Sequence, residues 1–172
     1  MSRLRYPGYP QQDVAVAPRN NGSAPVLDDV SKGIIEQLQK DGRMPYAAIG
    51  KAVGLSEAAV RQRVQRLLDS GVMQIVAVTD PLQLGFARQA MIGIHAEGDL
   101  EPIATELSTM AEVDYVIVTA GSFDLMVEVV CESDDHLLEL LSKRIRAIDG
   151  VRSTESFVYL KLHKQTYSWG VR

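Results

Sequence analysis

The sequence predicts an α+β protein in which an N-terminal helix-turn-helix domain is joined by a strand or hinge to a ferredoxin-like βαββαβ domain. Three apolar patterns with helical spacing fill residues 26–71. From residue 87 onward, strand-like and helix-like segments alternate in the order β-α-β-β-α-β. The charge is also divided: residues 26–71 hold seven basic and six acidic residues, whereas residues 72–172 hold eight basic and fifteen acidic residues. The acidity therefore belongs to the C-terminal part, and the N-terminal part can approach a polyanion while the rest keeps the protein soluble.

Composition excludes several classes of protein. The chain has 172 residues, of which 46% are hydrophobic and 23% charged, the balance of an ordinary globular protein. No apolar run approaches the roughly 20 residues of a membrane helix, and the N-terminus has no apolar signal region. Cys131 is the single cysteine, and the histidines are far apart. We therefore expect a cytoplasmic protein without an internal disulfide or a metal site.

Residues 1–25 carry four of the seven prolines, with Gln, Asn and Gly between them. Little in this stretch can form a core, so we predict a disordered tail. The first helix follows in LDDVSKGIIEQLQKDGR, with Asp28 as its N-cap and Gly42 at its end. Val30, Ile34, Ile35 and Leu38 predict its buried side.

The second helix is predicted in PYAAIGKAV, with Pro45 at its first position and Gly54 as its stop. Its inward-facing residues are predicted to be Ala48, Ile49, Ala52 and Val53. The third helix begins after Ser56, a good N-cap, and ends before Gly71. Val60, Val64, Leu67 and Leu68 form its apolar side, and Arg63 lies near the edge of the core at about 100° per residue.

Two short helices joined by Gly-Leu-Ser are typical of a helix-turn-helix, since Gly54 tolerates the positive φ of the turn. Ala58, Gln62 and Gln65 lie opposite the apolar side, where small or amide side chains can approach base edges. Basic residues flank them and can neutralise phosphates. The alternative is a three-helix bundle with a solvated arginine face. The predicted DNA-binding residues are Arg43, Lys51, Ser56, Ala58, Arg61, Gln62, Gln65 and Arg66.

Residues 72–86 are predicted to form a linking strand or hinge, because VMQIVAV alternates only partly before Pro81. Residues 87–172 then give the βαββαβ domain, with helices in LEPIATELSTM and DDHLLELLSKRIRAIDG and a last strand in VRSTESFVYLKLHK. Both helices cover one sheet face. The apolar residues on both sides of strands 113–120 and 124–131 indicate that a second copy covers the other face, which predicts a homodimer at least.

These motifs together resemble the leucine-responsive regulatory protein family, also called Lrp/AsnC, over residues 26 to about 169. The similar segments are LDDVSKGIIEQLQKDGR at 27–43, VGLSEAAVRQRVQRL at 53–67, VTAGSFDLMVEV at 118–129 and GVRSTESF at 150–157. Ser31 departs from the acidic residue that is more common there, and the proline-rich tail is longer than usual.

The resemblance implies a transcriptional regulator that binds double-stranded DNA, works in the cytoplasm on the nucleoid, and assembles as dimers, tetramers or octamers. It also implies a small effector, usually an amino acid, in a cleft between subunits and no other cofactor. The matching effector-binding positions are Thr119, Gly121, Ser122, Phe123, Asp124, Thr154 and Ser156. Asp124 could accept from the ligand ammonium, while backbone N–H groups and hydroxyls hold its carboxylate. Taken alone, Asp124 is also typical of a turn, and Thr154 and Ser156 of any strand.

Three other functions remain open at this point. The chain could be an architectural DNA-compacting protein of the same family without a specific effector. It could be an enzyme or enzyme subunit with a regulatory module, although no nucleophile–base set, phosphate loop or metal cluster is evident, and we expect no catalysis. It could also be a metabolite sensor without DNA binding, which the N-terminal module disfavours.

Overall fold

The computed structural model describes residues 27–166 and 170–171. The chain divides into two compact units, with the boundary between Val76 and Ala77. This boundary lies inside the predicted linker of residues 72–86. Thr166, Gly170 and Val171 group with the first unit, where Val171 packs against the helical core, although the sequence placed them in the C-terminal domain. The predicted disordered tail, residues 1–25, lies outside the described residues.

The first unit is the predicted three-helix domain, formed by α1 (Asp29–Lys40), α2 (Tyr46–Val53) and α3 (Glu57–Asp69). The Asp28 side chain caps α1 by accepting from the Ser31 N–H at 2.8 Å. Ser56 caps α3 in the same way, and Gly54 ends α2 with φ 73°. The buried core consists of Ile34, Ile35, Leu38, Ile49, Val60, Val64 and Leu67.

The predicted inner side of α2 is partly wrong. Ile49 is fully buried and Val53 partly so, but Ala48 and Ala52 are exposed. Gly50 is buried instead. The Leu55 carbonyl oxygen lies so close that a Cβ on residue 50 would come within 2.5 Å of it, which leaves room only for a glycine. Pro45 is the N-cap residue and not the first helical residue. The close approach of α2 to the turn thus depends on a glycine, which an apolar pattern does not register.

The second unit has the predicted βαββαβ order. Its strands are β1 (Arg88–Ala96), β2 (Val113–Val118), β3 (Leu125–Cys131) and β4 (Val151–Val158), all antiparallel in the order β2-β3-β1-β4. Its helices are α4 (Leu100–Ser108) and α5 (Asp134–Glu139). One sheet face and the two helices bury a core that includes Ile92, Ile94, Leu107, Leu125, Val127, Leu140 and Ile145. Cys131 lies in this core, and burial raises the pKa of its thiol to about 11.

The opposite sheet face carries large exposed apolar side chains in the single chain. Tyr115, Ile117 and Phe157 are 53%, 43% and 47% exposed. Their register partners are Glu128 and Met126 on β3 and Met91 on β1. Each of these partners alternates along its strand with core-facing residues and therefore points away from the core. Residues paired across strands lie on the same face, so the three apolar side chains share the face opposite to the helices. The apolar face is thus exposed as expected, and its cover by a second copy stays a prediction.

Three predicted elements differ from the structure. The described residues 74–80 form neither helix nor strand, so the strand alternative of the predicted linking strand or hinge is not observed in the single chain, where Ile75, Val76 and Val78 are exposed. The hinge alternative stays a prediction. The long final helix ends at Glu139 and continues as a π turn (Leu140–Arg144) and a 3-10 turn (Ile145–Ala147). β4 ends at Val158 and is shorter than predicted. The next backbone hydrogen bond joins the Tyr159 N–H to the Gln89 oxygen, one residue from the start of β1 at Arg88, so little of β1 is left to pair with.

Candidate nucleic-acid interface and effector-binding residues

The position of α3 follows from its cap and its apolar side. The Ser56 hydroxyl accepts from the Ala59 N–H at 3.3 Å, while Val60, Val64 and Leu67 are buried against α1 and α2. The predicted DNA-binding residue Ser56 is therefore the N-cap of α3. The burial of one side turns the other side of α3 to solvent.

The outward side of α3 gathers the residues that were predicted to read DNA. Ala58, Gln62 and Gln65 are all exposed, and Arg61 and Arg66 are exposed beside them. At about 100° per residue, these five positions occupy one continuous side of the helix. We call them the reading face. Arg43, after α1, and Lys51, in the last turn of α2, are also exposed in this unit.

Two residues of the reading face contact carboxylates on their own helix. Arg61 Nη2 lies 3.0 Å from Glu57 Oε1, and its guanidinium lies 5.2 Å from the centre of the Tyr46 ring. Gln65 Nε2 donates to Asp69 Oδ1 at 2.8 Å. These contacts occupy side-chain donors that a base or a phosphate could also accept from. Any DNA group that bound at these positions would have to replace the carboxylates.

Arg63 has a different role, which the sequence indicated only by its position near the core edge. Its Nη1 donates to the Asp28 carboxylate at 2.7 Å and to the Ser31 hydroxyl at 3.1 Å. The hydrogen bonds from the side chain and backbone of Ser31, followed by that from Arg63, lower the pKa of Asp28 to about 2. Arg63 therefore joins α3 to the cap of α1 and is not part of the reading face.

Five of the predicted effector-binding residues lie in the loop between β2 and β3. The Thr119 N–H donates to the Asp124 carbonyl oxygen at 2.9 Å, and its hydroxyl donates to the Phe123 carbonyl oxygen. Gly121 and Ser122 are exposed at the tip of the loop. The loop is therefore closed by its own hydrogen bonds, with its small residues outward.

Two hydrogen bonds of Asp124 connect this loop to β1. Its N–H donates to the Ile94 carbonyl oxygen at 3.0 Å, and its Oδ2 accepts from the Ala96 N–H at 2.9 Å. The contact falls where the pairing of β1 with β4 shifts register, between His95 and Ala96. Asp124 thus has the turn role that its residue type alone indicated, while its Oδ1 accepts no hydrogen bond from the described residues.

Phe123 packs on the uncovered sheet face. A Cβ on Gly93 would lie 2.7 Å from three atoms of the Phe123 ring, so the absence of a side chain at Gly93 makes room for the ring. The ring centroid lies 5.0 Å from that of His95 and 6.0 Å from that of Phe157. This packing fixes the base of the loop from the side opposite to the helices.

Thr154 and Ser156 lie on β4, where they pair with Ile94 and Ile92 of β1. The loop adjoins β1 on the side of β3, so within one protomer the loop and β4 are separated by two strand spacings, about 10 Å. The structure does not bring the two groups into contact in a single chain. A shared site stays a prediction, and it needs a cleft to which two copies contribute.

The described residues show neither a candidate metal site nor a helix suited to crossing a membrane. Within residues 27–166 and 170–171, no group of three or more His, Cys, Asp or Glu side chains is placed to hold a metal ion. His136 contacts Glu112 at 3.2 Å, and Arg144 pairs with the same carboxylate at 2.7 Å. No helix in the described part of the chain combines the length and apolar character that crossing a membrane requires.

Comparisons with known proteins match both units. Residues 27–68 match the AsnC-type helix-turn-helix domain, and residues 86–172 match a C-terminal dimeric alpha+beta barrel domain of AsnC-type regulators. The chain is 36% identical over 143 residues to the HTH-type transcriptional regulator FL11 of Pyrococcus furiosus, a match covering 82% of this chain and 94% of that protein. It is 29% identical over 139 residues to the regulatory protein AsnC of Escherichia coli, covering 79% and 91%.

Solved structures agree with these matches. The structure of E. coli AsnC has a TM-score of 0.73 at 28% identity, covering 83% of this chain and 97% of that chain. Mycobacterium tuberculosis LrpA, a leucine response regulatory protein, gives 0.73 at 30%, covering 81% and 96%. A Neisseria meningitidis transcriptional regulator in complex with L-Met gives 0.74 at 22%, covering 85% and 96%, and so shares the fold.

Proposed function

We propose that this chain, which belongs to the Lrp/AsnC family of transcriptional regulators, recognises specific duplex sequences with α3 and changes its activity when a small effector binds. Membership brings a DNA-binding helix-turn-helix and a dimeric C-terminal domain. The sequence specificity, the effector and any assembly beyond the dimer are the parts that we propose.

The observation that carries the proposal is the reading face of α3. Its apolar side is buried by α1 and α2, whereas Ala58, Gln62 and Gln65 are exposed between two exposed arginines. A glutamine amide can pair with adenine, and Ala58 allows close approach to a thymine methyl group. Arg61 and Arg66, with Arg43 and Lys51, would neutralise phosphates and set the orientation of the domain.

In a dimer, two such helices would read half-sites about 34 Å apart. An effector changes DNA binding only if it binds one arrangement of the subunits better than another. Thr119, Gly121, Ser122, Phe123 and Asp124 of one copy, with Thr154 and Ser156 of another, are the positions that we propose for it. We also propose assembly into tetramers or octamers and a cytoplasmic, nucleoid-associated location. Since its relatives are regulators and not enzymes, we assign no catalysis.

A binding selection on random duplexes, followed by fluorescence anisotropy, tests the DNA reading. We expect a preferred duplex that binds at least about a thousandfold tighter than a scrambled duplex of equal length. The affinity should fall with salt for both duplexes, since phosphate contacts release counterions. Equal affinity for all duplexes, with broad protection in footprinting, would instead support the DNA-compacting alternative. No binding at low salt would refute the proposal.

A thermal-shift screen with the L-amino acids tests the effector part, because a ligand of the native state raises the melting temperature. L-Methionine is a first probe, as it is the ligand named for the Neisseria relative. The active amino acid should also change the anisotropy signal with the preferred duplex. A ligand that stabilises the protein and leaves DNA binding and assembly unchanged would contradict an effector role.

A further inference from the structure

The arginines of the second unit differ in their partners. Four arginines lie between Ala77 and Gln165, and all are among the described residues. Three of them pair with a carboxylate: Arg88 with Asp134, Arg144 with Glu112, and Arg152 with Glu97. The fourth, Arg146, forms no ion pair in the described part of the chain. Its Nε donates to the Thr154 hydroxyl at 2.8 Å. Arg146 is thus the arginine of this unit whose charge is left without a counterion.

The surroundings of Arg146 form a small groove. Arg146 lies in the 3-10 turn that follows the π turn of Leu140–Arg144, and π turns are frequent at functional sites. The other side is the first half of β4, an edge strand whose outer backbone groups have no neighbouring strand in this unit. The residues that line the groove are Arg146, Val151, Arg152, Ser153 and Thr154.

The donors in this groove are arranged for a carboxylate. Because Nε of Arg146 is held by Thr154, the plane of the guanidinium is fixed while its two terminal nitrogens remain available. A guanidinium presents its donors as a fork that matches the two oxygens of a carboxylate. The Thr154 oxygen already accepts from Nε, so its proton is free to be donated.

The charge and polarity of the groove limit the ligand further. Glu97 compensates Arg152, so the groove keeps about one positive charge, that of Arg146. Val151 is half-buried and adds an apolar wall next to the donors. A small molecule with one carboxylate and an adjacent aliphatic part satisfies both features. A phosphate shares the anionic chemistry but leaves the apolar wall unused.

We propose that Arg146, oriented by Thr154, binds the carboxylate of a small aliphatic ligand in the groove beside β4, and that this ligand is the effector. The inference rests on the proposed function, because it gives the effector its carboxylate partner. It places the ligand carboxylate at Arg146 and not at the backbone of Gly121 and Ser122. Thr154 acts as a positioning residue, and the ammonium group of an amino acid would extend away from the two arginines.

The experiment is a set of calorimetric titrations and thermal shifts on the full chain. The probes are L-leucine, L-methionine and L-valine, the amide of each, the matching 2-oxo acids, and inorganic phosphate. We expect at least one amino acid or 2-oxo acid to bind the wild-type protein, and its amide to bind at least about tenfold more weakly. The R146A variant should lose at least about tenfold in affinity, and R146K should recover part of it.

Two further variants separate binding from structure. T154V removes the hydroxyl and keeps the size, so it should reduce the preference for acid over amide without lowering the melting temperature of the free protein by more than a few degrees. K143A is the matched control, because it removes an exposed positive charge paired with Glu139 from the same segment, outside the groove. It should leave ligand affinity unchanged.

The outcomes are decisive for this site. Unchanged affinity in R146A, binding of the amide equal to that of the acid, or no binding of any probe to the wild type would overturn the proposal. Phosphate binding as strong as that of the best carboxylate would overturn the ligand class. DNA titrations identify a separate failure: a wild type that binds carboxylates through Arg146 but binds no duplex would sustain this site and refute the regulator function.

Discussion

Arg63 on α3 and Asp28 at the cap of α1 form an ion pair with a separation of 2.7 Å between Nη1 and Oδ2. The Arg63 side chain is 29% exposed and also donates to the Ser31 hydroxyl. Asp28 in turn accepts from the Ser31 N–H. One carboxylate therefore caps α1 and also holds α3 against it. The orientation of the reading face depends on a contact that lies outside it.

This pair predicts an acid-sensitive domain. The pKa of Asp28 is lowered from 3.8 to about 2, so its contribution to stability is complete above about pH 4 and is lost as the pH falls through about 2. In R63Q, the remaining bonds from Ser31 lower the pKa of Asp28 less, so its contribution to stability is smaller and the loss of that contribution is complete at a higher pH. Acid titration followed by circular dichroism measures this. R63K, which keeps the charge, should lie between wild type and R63Q. Coincident acid transitions in all three proteins would contradict the assigned role.

Substitutions in the reading face should separate base reading from phosphate binding. Q62A should reduce the preference for the selected duplex over a scrambled one roughly ten- to a hundredfold. R66A should weaken both duplexes alike and reduce the salt slope by about 1. Anisotropy titrations at several salt concentrations measure both effects. K40A, an exposed charge at the end of α1, serves as the control that should change little. A Q62A protein with wild-type discrimination would mean that another surface reads the bases.

The carboxylates beside the reading face should act against indiscriminate binding. Glu57 and Asp69 contact Arg61 and Gln65 and lie where they would repel phosphates. E57Q and D69N are therefore expected to bind scrambled duplexes several-fold more tightly, with a smaller gain for the selected duplex. Competition titrations give the ratio of the two affinities. E36Q neutralises one carboxylate on α1 that forms no hydrogen bond or ion pair with α3 among the described residues, and it should leave that ratio unchanged. An increased ratio in E57Q would reverse the interpretation.

Gly93 and Phe123 should be coupled in stability. A methyl group at Gly93 would overlap the Phe123 ring, so G93A should destabilise the second unit by about 1–3 kcal/mol. F123A opens space for that methyl group, and the double variant should be less destabilised than the sum of the two single variants. Urea denaturation of the four proteins measures the coupling. G121A is the control, because nothing lies within 4 Å of a Cβ there. Strict additivity would show that the cost of G93A does not arise from the Phe123 ring.

Two substitutions at Asp124 should divide its two proposed roles. D124N keeps an oxygen that can accept from the Ala96 N–H, whereas D124A removes it and should cost about 1 kcal/mol. An ammonium group requires the negative charge, so both variants should lose the response to an amino acid. Melting temperatures with and without the active amino acid distinguish the two effects. A full response in D124N would remove Asp124 from the effector site.

Local signals in the sequence were sufficient for much of the fold. The caps at Asp28 and Ser56, the turn at Gly54 and the apolar side of α3 depend on neighbours a few residues away, and each is confirmed. The same spacing placed Ala58, Gln62 and Gln65 on the exposed side. Helical periodicity has a fixed phase, so it identifies which side of a helix is polar without any knowledge of the partner.

Contacts between distant or irregular segments could not be predicted in this way. Arg63 was placed near the core edge, but nothing local indicated Asp28, which is 35 residues away. The hydrogen bond from Arg146 to Thr154 was not predicted, because regular α-helical spacing does not continue through the π turn of Leu140–Arg144. Of the predicted linking strand or hinge, the strand is not formed in this chain, because strand-like residues form a strand only beside a partner strand and residues 74–80 have none here.

We expect the uncovered sheet face to make folding and association one equilibrium. A second copy that covers Tyr115, Ile117 and Phe157 would remove them from water, so part of the apolar burial that supports the second unit would belong to the pair and not to either chain. Dilution then lowers stability by mass action. The abundance of the regulator in the cell therefore sets how much of it is intact as well as how many DNA sites it occupies.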